Sequence, residues 1–154
     1  MKKIPVMVTG VGGGGHGEQI LKALRIAKTP YFIVGGDMNS FSLGLAKVDI
    51  PYILPPASKV EYIDSLLAVC KQYDICALFH GSEPELKAMS KNRKLFKEAG
   101  IFLPINPPEV IQLCMNKLCL SDWLQSNGFE VPKTIHIKNE IDLEKVNFFP
   151  AVLK

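Results

Sequence analysis

Six glycines fall within the eight positions from Gly10 to Gly17, directly after the apolar run Val6-Met7-Val8-Thr9. Backbone without side chains lets N–H groups approach an anion closely, and a helix starting there adds the positive end of its dipole. Two dinucleotide-type spacings overlap in the run: Gly10-x-Gly12-x-x-Gly15 and Gly12-x-Gly14-x-x-Gly17. Asp37 follows about twenty residues after Gly17, where a ribose-binding acid would stand. The loop therefore reads as an anion or substrate contact, as an NAD(P) site, or as a turn that only packs helix on strand. Glycine costs on the order of 1 kcal/mol relative to alanine in regular structure, so this density favours a role that needs close backbone approach. His16 could donate to an anion or simply be solvated, and Asp37 could bind a ligand or form a turn.

A second group begins at His80-Gly81 and continues through Ser82-Glu83-Pro84-Glu85. A capping serine, a proline in the first turn and two acids against the positive dipole end form a helix start. Glu83 and Glu85 have that stabilising task in any case. They also point to the same end of the fold as the glycine loop, where one of them can face a substrate. His80, at the end of an apolar run, is either a buried satisfied histidine or a base.

The elements that must position these residues alternate. Val6–Thr9, Tyr31–Val34 and Ile75–His80 read as strands, Ile50–Pro56 as a proline-bounded marginal strand, and Ile101–Ile105 as a fifth. Ile20, Leu21, Leu24 and Ala27 form one helical stripe. Val60, Ile63, Leu66, Leu67 and Cys70 form another within Lys59–Tyr73, and a third helix runs from Ser82 to about Ala99 before Gly100. This predicts an α/β fold: a Rossmann-like open parallel sheet with helices on both faces and right-handed crossovers. Ligands of such sheets bind beyond the carboxyl ends of the strands. Gly10–Gly17, Gly35–Ser40 and His80–Glu85 should therefore share one rim.

Composition narrows the functional classes. The 154 residues are 47% hydrophobic and 21% charged, ordinary globular values. A formal charge of +3 with no Lys/Arg-rich run argues against a nucleic-acid partner. No apolar stretch approaches the roughly 20 residues that span a bilayer, and the apolar run after Met1-Lys2-Lys3 is too short for a signal peptide. A cytoplasmic protein without a membrane partner is expected. Cys70, Cys76, Cys114 and Cys119 lack zinc-ligand spacing and lie in apolar surroundings, so they are expected to be reduced and buried.

After Asn106-Pro107-Pro108 the pattern changes. An amphipathic helix from Asn116 through Gln125 leads to Asn127-Gly128 and Val131-Pro132-Lys133-Thr134, and Phe149-Pro150-Ala151-Val152-Leu153 reads as an apolar strand before Lys154. An open-edged apolar strand lacks partners, so the chain reads as the front piece of a larger protein. Its domains are expected at 1–108 and 109–154, the second incomplete.

Thr9-Gly10-Val11-Gly12-Gly13-Gly14-Gly15, the Asp37 turn, Glu61–Leu67, Gly81–Leu86 and Asn92–Phe96 together resemble the pre-ATP-grasp domain of ATP-grasp ligases. The similarity is greatest to proteins like the carbamoyl-phosphate-synthase large subunit. Asn116-Lys117, Leu124, Gly128, Pro132, Thr134 and Phe149–Lys154 resemble the opening of the ATP-grasp domain itself.

The resemblance implies a ligase that phosphorylates a small carboxylate with ATP and Mg²⁺, after which an amine displaces phosphate. Lys117 and Lys154 would contact ATP, while Gly12, Gly13, Gly14, Gly15, Asp37, Glu83 and Glu85 would face the substrate. The family's metal-binding acids belong to sequence after Lys154, so this chain alone is expected to be catalytically inactive and to hold neither ATP nor Mg²⁺ tightly. The alternatives are an NAD(P)-binding Rossmann module of an oxidoreductase and a non-catalytic ligand-binding module. Neither the carboxylate, the amine nor the oligomeric state is legible.

Overall fold

The fold is described for residues 2–153 of a computed structural model. The chain divides into two compact units, Met1–Pro108 and Glu109–Lys154. In the first, four strands form one parallel sheet: β1 (Ile4–Thr9), β2 (Tyr31–Asp37), β3 (Ile50–Ile53) and β4 (Ala77–Phe79), in the order β3-β2-β1-β4. β1 pairs with β2 from Ile4↔Tyr31 to Thr9↔Gly36 and with β4 from Val6↔Ala77 to Val8↔Phe79. The edge strand β3 tolerates Pro51, whose missing N–H would disrupt an interior strand.

Alternation along the strands makes two cores. Met7, Val34 and Leu78 pack with Tyr62, Leu66 and Val69 of α2 (Tyr62–Gln72), Met89 of α3 (Glu83–Lys91) and Phe96 of α4 (Arg93–Glu98). Val6, Val8 and Ile33 point the other way, toward Leu21 of α1 (His16–Ile26) and Leu45 of a short 3-10 helix, Leu43–Lys47. Residues two apart share a face of the sheet and neighbours do not, so helices must cover both sides. The open parallel α/β sheet read from the sequence is the one observed.

Several expected elements differ. Ile101–Ile105 is not a fifth strand: Phe102 makes one bridge to Ala77, with its N–H on the Cys76 carbonyl at 2.8 Å and its carbonyl accepting from Leu78 N–H at 3.0 Å. The next donor along this ladder would be residue 104, a proline without an N–H. The single helix expected from Ser82 to Ala99 is two, broken at Asn92. The Asn92 side-chain amide donates to the Ala88 carbonyl at 2.9 Å, the acceptor its own backbone N–H would use in a continuous helix. Val60 lies outside α2 and is 92% exposed, and Tyr62 and Val69 take the buried positions. Of the four cysteines only Cys70 is buried; Cys76, in the bend before β4, and Cys114 and Cys119, on α5 and α6, are exposed. Burial pushes the Cys70 thiol up to about 12.

The second unit holds α5 (Pro108–Met115), α6 (Lys117–Ser126) and the 3-10 helix Glu140–Lys145. Asn116 caps α6 by accepting from Leu118 and Cys119 N–H at 3.1 and 3.2 Å, and Asn139 and Asp142 form a reciprocal capping box. Phe149–Leu153 is not a strand; no described segment pairs with it, and Phe149, Val152 and Leu153 are all more than 80% exposed.

Candidate functional site at the glycine loop

β1 ends at Thr9 and α1 begins at His16, so the intervening glycines form a turn at the carboxyl end of the sheet. Gly10 has φ +58°, a left-handed conformation that costs an L side chain about 1–2 kcal/mol. A Cβ there would also stand 2.9 Å from Glu85 Oε2 and 3.1 Å from Gly81 Cα. At Gly81 a Cβ would drive into the Thr9 carbonyl oxygen. The loops after β1 and β4 therefore lie backbone against backbone, which only glycine on both sides allows.

On the other side the loop is tied to β2. Asp37, 8% exposed, accepts the Gly12 N–H on Oδ2 and the Asn39 N–H on Oδ1, each at 2.9 Å. Its carboxylate thus fastens the loops after β1 and β2 together, and the Gly12 N–H is occupied within the protein. All three loops read from the sequence as one rim do meet there.

Glu85 is buried and accepts from Gly81 N–H at 3.1 Å and from the Ser82 hydroxyl at 2.9 Å, closing the first turn of α3. Tyr62 lies beneath it; burial, and then the Glu85 charge, push its hydroxyl well above the ordinary phenol value, so it stays protonated. Glu83, by contrast, is exposed on the same turn. Burial holds His80 below the usual histidine value; His16 acts in the same direction and Glu85 opposes both. The His80 Nδ1 atom is buried without a hydrogen-bond partner.

A cleft of about 520 Å³ opens between the glycine loop and the segment after β2, lined by Gly12, Gly13, Gly14, Phe41, Leu43 and Lys47 among others. Glu18, in the first turn of α1, also lines it. The hydrogen bond and charge of Lys22 hold its carboxyl below the usual range, with Lys47 adding to the effect. Asp37 reaches the cleft too, whereas Gly15 does not and lies toward the Gly81 carbonyl instead. Sequence reasoning passed over Phe41–Lys47, since its one signal is an aromatic residue between small and polar neighbours. Lys117 is the exposed first residue of α6 in the second unit, and Lys154 lies outside the described residues. Among the described residues no three His, Cys, Asp or Glu side chains come together as a metal ion would require. None of the described helices is long and apolar enough to cross a membrane.

The four-stranded parallel sheet with its helices matches, in fold, the N-terminal domain of ATP-grasp enzymes. Residues 8–104 match the PylC-like N-terminal domain, and the chain belongs to that family. No curated protein matches it in sequence.

Among solved structures it is similar to an L-amino acid ligase from Bacillus licheniformis, with 20% identity and TM-score 0.65 over 96% of this chain and 36% of that one. It is also similar to the N5-carboxyaminoimidazole synthetase of Staphylococcus aureus complexed with ADP, with 19% identity and TM-score 0.62 over 94% of this chain and 35% of that one. Pyruvate carboxylase from Rhizobium etli gives 18% identity and TM-score 0.62, over 91% of this chain and 14% of that one. At such identities the likeness is one of fold, and the chain spans about a third or less of each protein.

Proposed function

We propose that this chain is the substrate-side N-terminal portion of an ATP-dependent ligase. In this reading the parent protein phosphorylates a small carboxylate and lets an amine displace phosphate from the acyl phosphate. Residues 1–108 supply the pre-ATP-grasp domain and 109–154 open the ATP-grasp domain. Gly12, Gly13, Gly14, Gly15, Asp37, Glu83 and Glu85 make up the substrate side, and Lys117 and Lys154 contact ATP as compact point charges. Asp37 and Glu85 act as framework, holding the glycine loop. A carbamoyl-phosphate product and an amide- or peptide-like product are equally compatible with this chemistry.

The observation that carries the reading is the packing of the loop. With the Gly12 N–H on Asp37 and Gly10 against Gly81, only the tip from Gly13 to Gly15 and the start of α1 stay open to a ligand. That suits one small anion better than an extended pyrophosphate, and it weighs against the NAD(P) alternative. Family membership supports it further.

The described residues offer no metal ligand set. On this reading the parent protein holds the ATP and Mg²⁺ of the reaction, since phosphoryl transfer depends on a metal and a full set of cations. The chain alone binds Mg-ATP weakly or not at all and turns over none; it works in the cytoplasm, with neither nucleic acid nor membrane as partner.

Calorimetric titration with Mg-ATP, NAD⁺ and NADPH tests this. Silence toward both dinucleotides, with ATP weak or absent, is expected. Micromolar dinucleotide binding would overturn the proposal, as would ADP release by the purified chain.

A further inference from the structure

The loops after β1 and β4 meet along a seam with no side chain between them. Gly10 faces the Gly81 backbone, and a Cβ on Gly81 would stand 2.8 Å from Gly10 Cα as well as striking the Thr9 carbonyl. Gly15 lies toward the Gly81 carbonyl from the same side. A contact this close has no slack, so the two loops are either in register or apart.

A histidine flanks each side of the seam. His16 follows Gly15 and opens α1, exposed to solvent. His80 precedes Gly81 and is half-buried, with its Nδ1 atom enclosed and without a hydrogen-bond partner. Glu85 commits Oε2 to the Gly81 N–H and the Ser82 hydroxyl, and so closes the β4 loop. Thr9 on β1 gives its hydroxyl to the Phe79 carbonyl at 3.4 Å, and Tyr62 on α2 stays protonated, so both are neutral. Burial acts most strongly on His80 and opposes its protonated form; Glu85 from α3 favours that form, and His16 from α1 opposes it. An imidazolium carries an N–H on both nitrogens and needs an acceptor for each. Nδ1 has none here, and water reaches it only when the seam parts.

We propose that the seam is an acid-sensitive latch: protonation of His80 parts the loops after β1 and β4, and the glycine loop is held in place only while His80 is neutral. The latch acts whatever the loop binds, so it stands apart from the ligase reading. A base whose protonated form is disfavoured in the closed state adds stability to that state above its open-state value. That contribution is lost as pH falls from the ordinary histidine value through the lower, closed-state one.

Nuclear magnetic resonance of the ¹⁵N-labelled full chain between about pH 7.5 and 5 tests the latch. It reads the imidazoles of His16 and His80 and the hydrogen exchange of the Gly81 amide. After correction for intrinsic exchange, Gly81 is expected to lose protection as pH falls. The loss should be about tenfold for each pH unit separating the closed-state His80 midpoint from the ordinary histidine value. The amides of Gly10–Gly17 should shift with the same midpoint as His80. In His80→Gln both changes should vanish. In His16→Gln they should persist and move to higher pH, because a like charge has gone. The unaltered chain answers by itself where a variant does not fold. Constant Gly81 protection across this range, or loop shifts that follow the His16 midpoint instead, would overturn the proposal. So would changes that survive in a folded His80→Gln chain.

Discussion

The two units of this chain put similar local patterns to different ends. In Met1–Pro108 the apolar residues of strands and helices converge on two cores, and Met7, Leu66, Leu78, Met89 and Phe96 have no exposed surface. In Glu109–Lys154 α6 and the 3-10 helix Glu140–Lys145 are capped by side chains, yet Ile111 is the one buried apolar residue among those described, while Trp123, Phe129 and Phe149 are about half exposed or more. Helical periodicity and a good cap mark where a helix forms; a core needs a second element for its apolar face to pack against. The site sits where that requirement is met, on loops held by a rigid scaffold.

The contrast can be broken most forcefully in the core. Phe96→Ala is expected to destabilise the chain by about 3–5 kcal/mol, whereas Phe149→Ala should change stability by less than about 0.5 kcal/mol, both read by urea unfolding. Comparable losses would mean that the second unit carries a core of its own.

Glycines give the next largest effect. Gly81→Ala drives a methyl group into the Thr9 carbonyl and is expected to cost about 1–3 kcal/mol, while shifting the amides of Gly10–Gly17. Gly128, at φ +81° with open space around it, should cost about 1–2 kcal/mol on mutation to alanine from conformation alone, with no effect on the glycine loop.

Thiol chemistry sharpens the comparison at the level of single residues. A thiol reagent at neutral pH should modify Cys76, Cys114 and Cys119 quickly and Cys70 only when the first unit opens. Fast reaction of all four would contradict the burial of α2.

The smallest effect is electrostatic. Burial opposes ionisation of Asp49, but the Ile33 N–H at 2.9 Å, with Arg25 and Lys3, outweighs it and holds the carboxyl below the usual range. A carboxyl depressed in the folded state adds stability above its unfolded pKa, and that stability is lost as pH falls through the folded value. Asp49→Asn should therefore lower stability at pH 7 by at most about 1 kcal/mol, a difference that shrinks as pH drops below about 4. A difference that grows on acidification would reverse the assignment.

Much of the fold was legible before any coordinates. Continuous apolar runs at β1, β2 and β4 announced a doubly covered parallel sheet, and the rim shared by their loops followed from topology. What escaped the sequence depended on single hydrogen bonds and on distance. Pro104 ended a fifth strand after one bridge, and the Asn92 side chain split a helix by taking one carbonyl. Gly12 and Asp37 were legible as a glycine and an acid at suggestive spacing, but not as donor and acceptor to each other. Phe41 and Leu43 were not legible at all, because whether an apolar residue in a loop is buried depends on partners far away in the chain.

The sequence by itself determined periodicity, capping and the placing of chain breaks, since these depend on a residue and its near neighbours. Only the tertiary structure decided which glycines were required for space, which acids were already occupied, and which apolar side chains stayed in water. Those outcomes follow from contacts between residues such as Gly10 and Gly81, whose approach no local preference encodes.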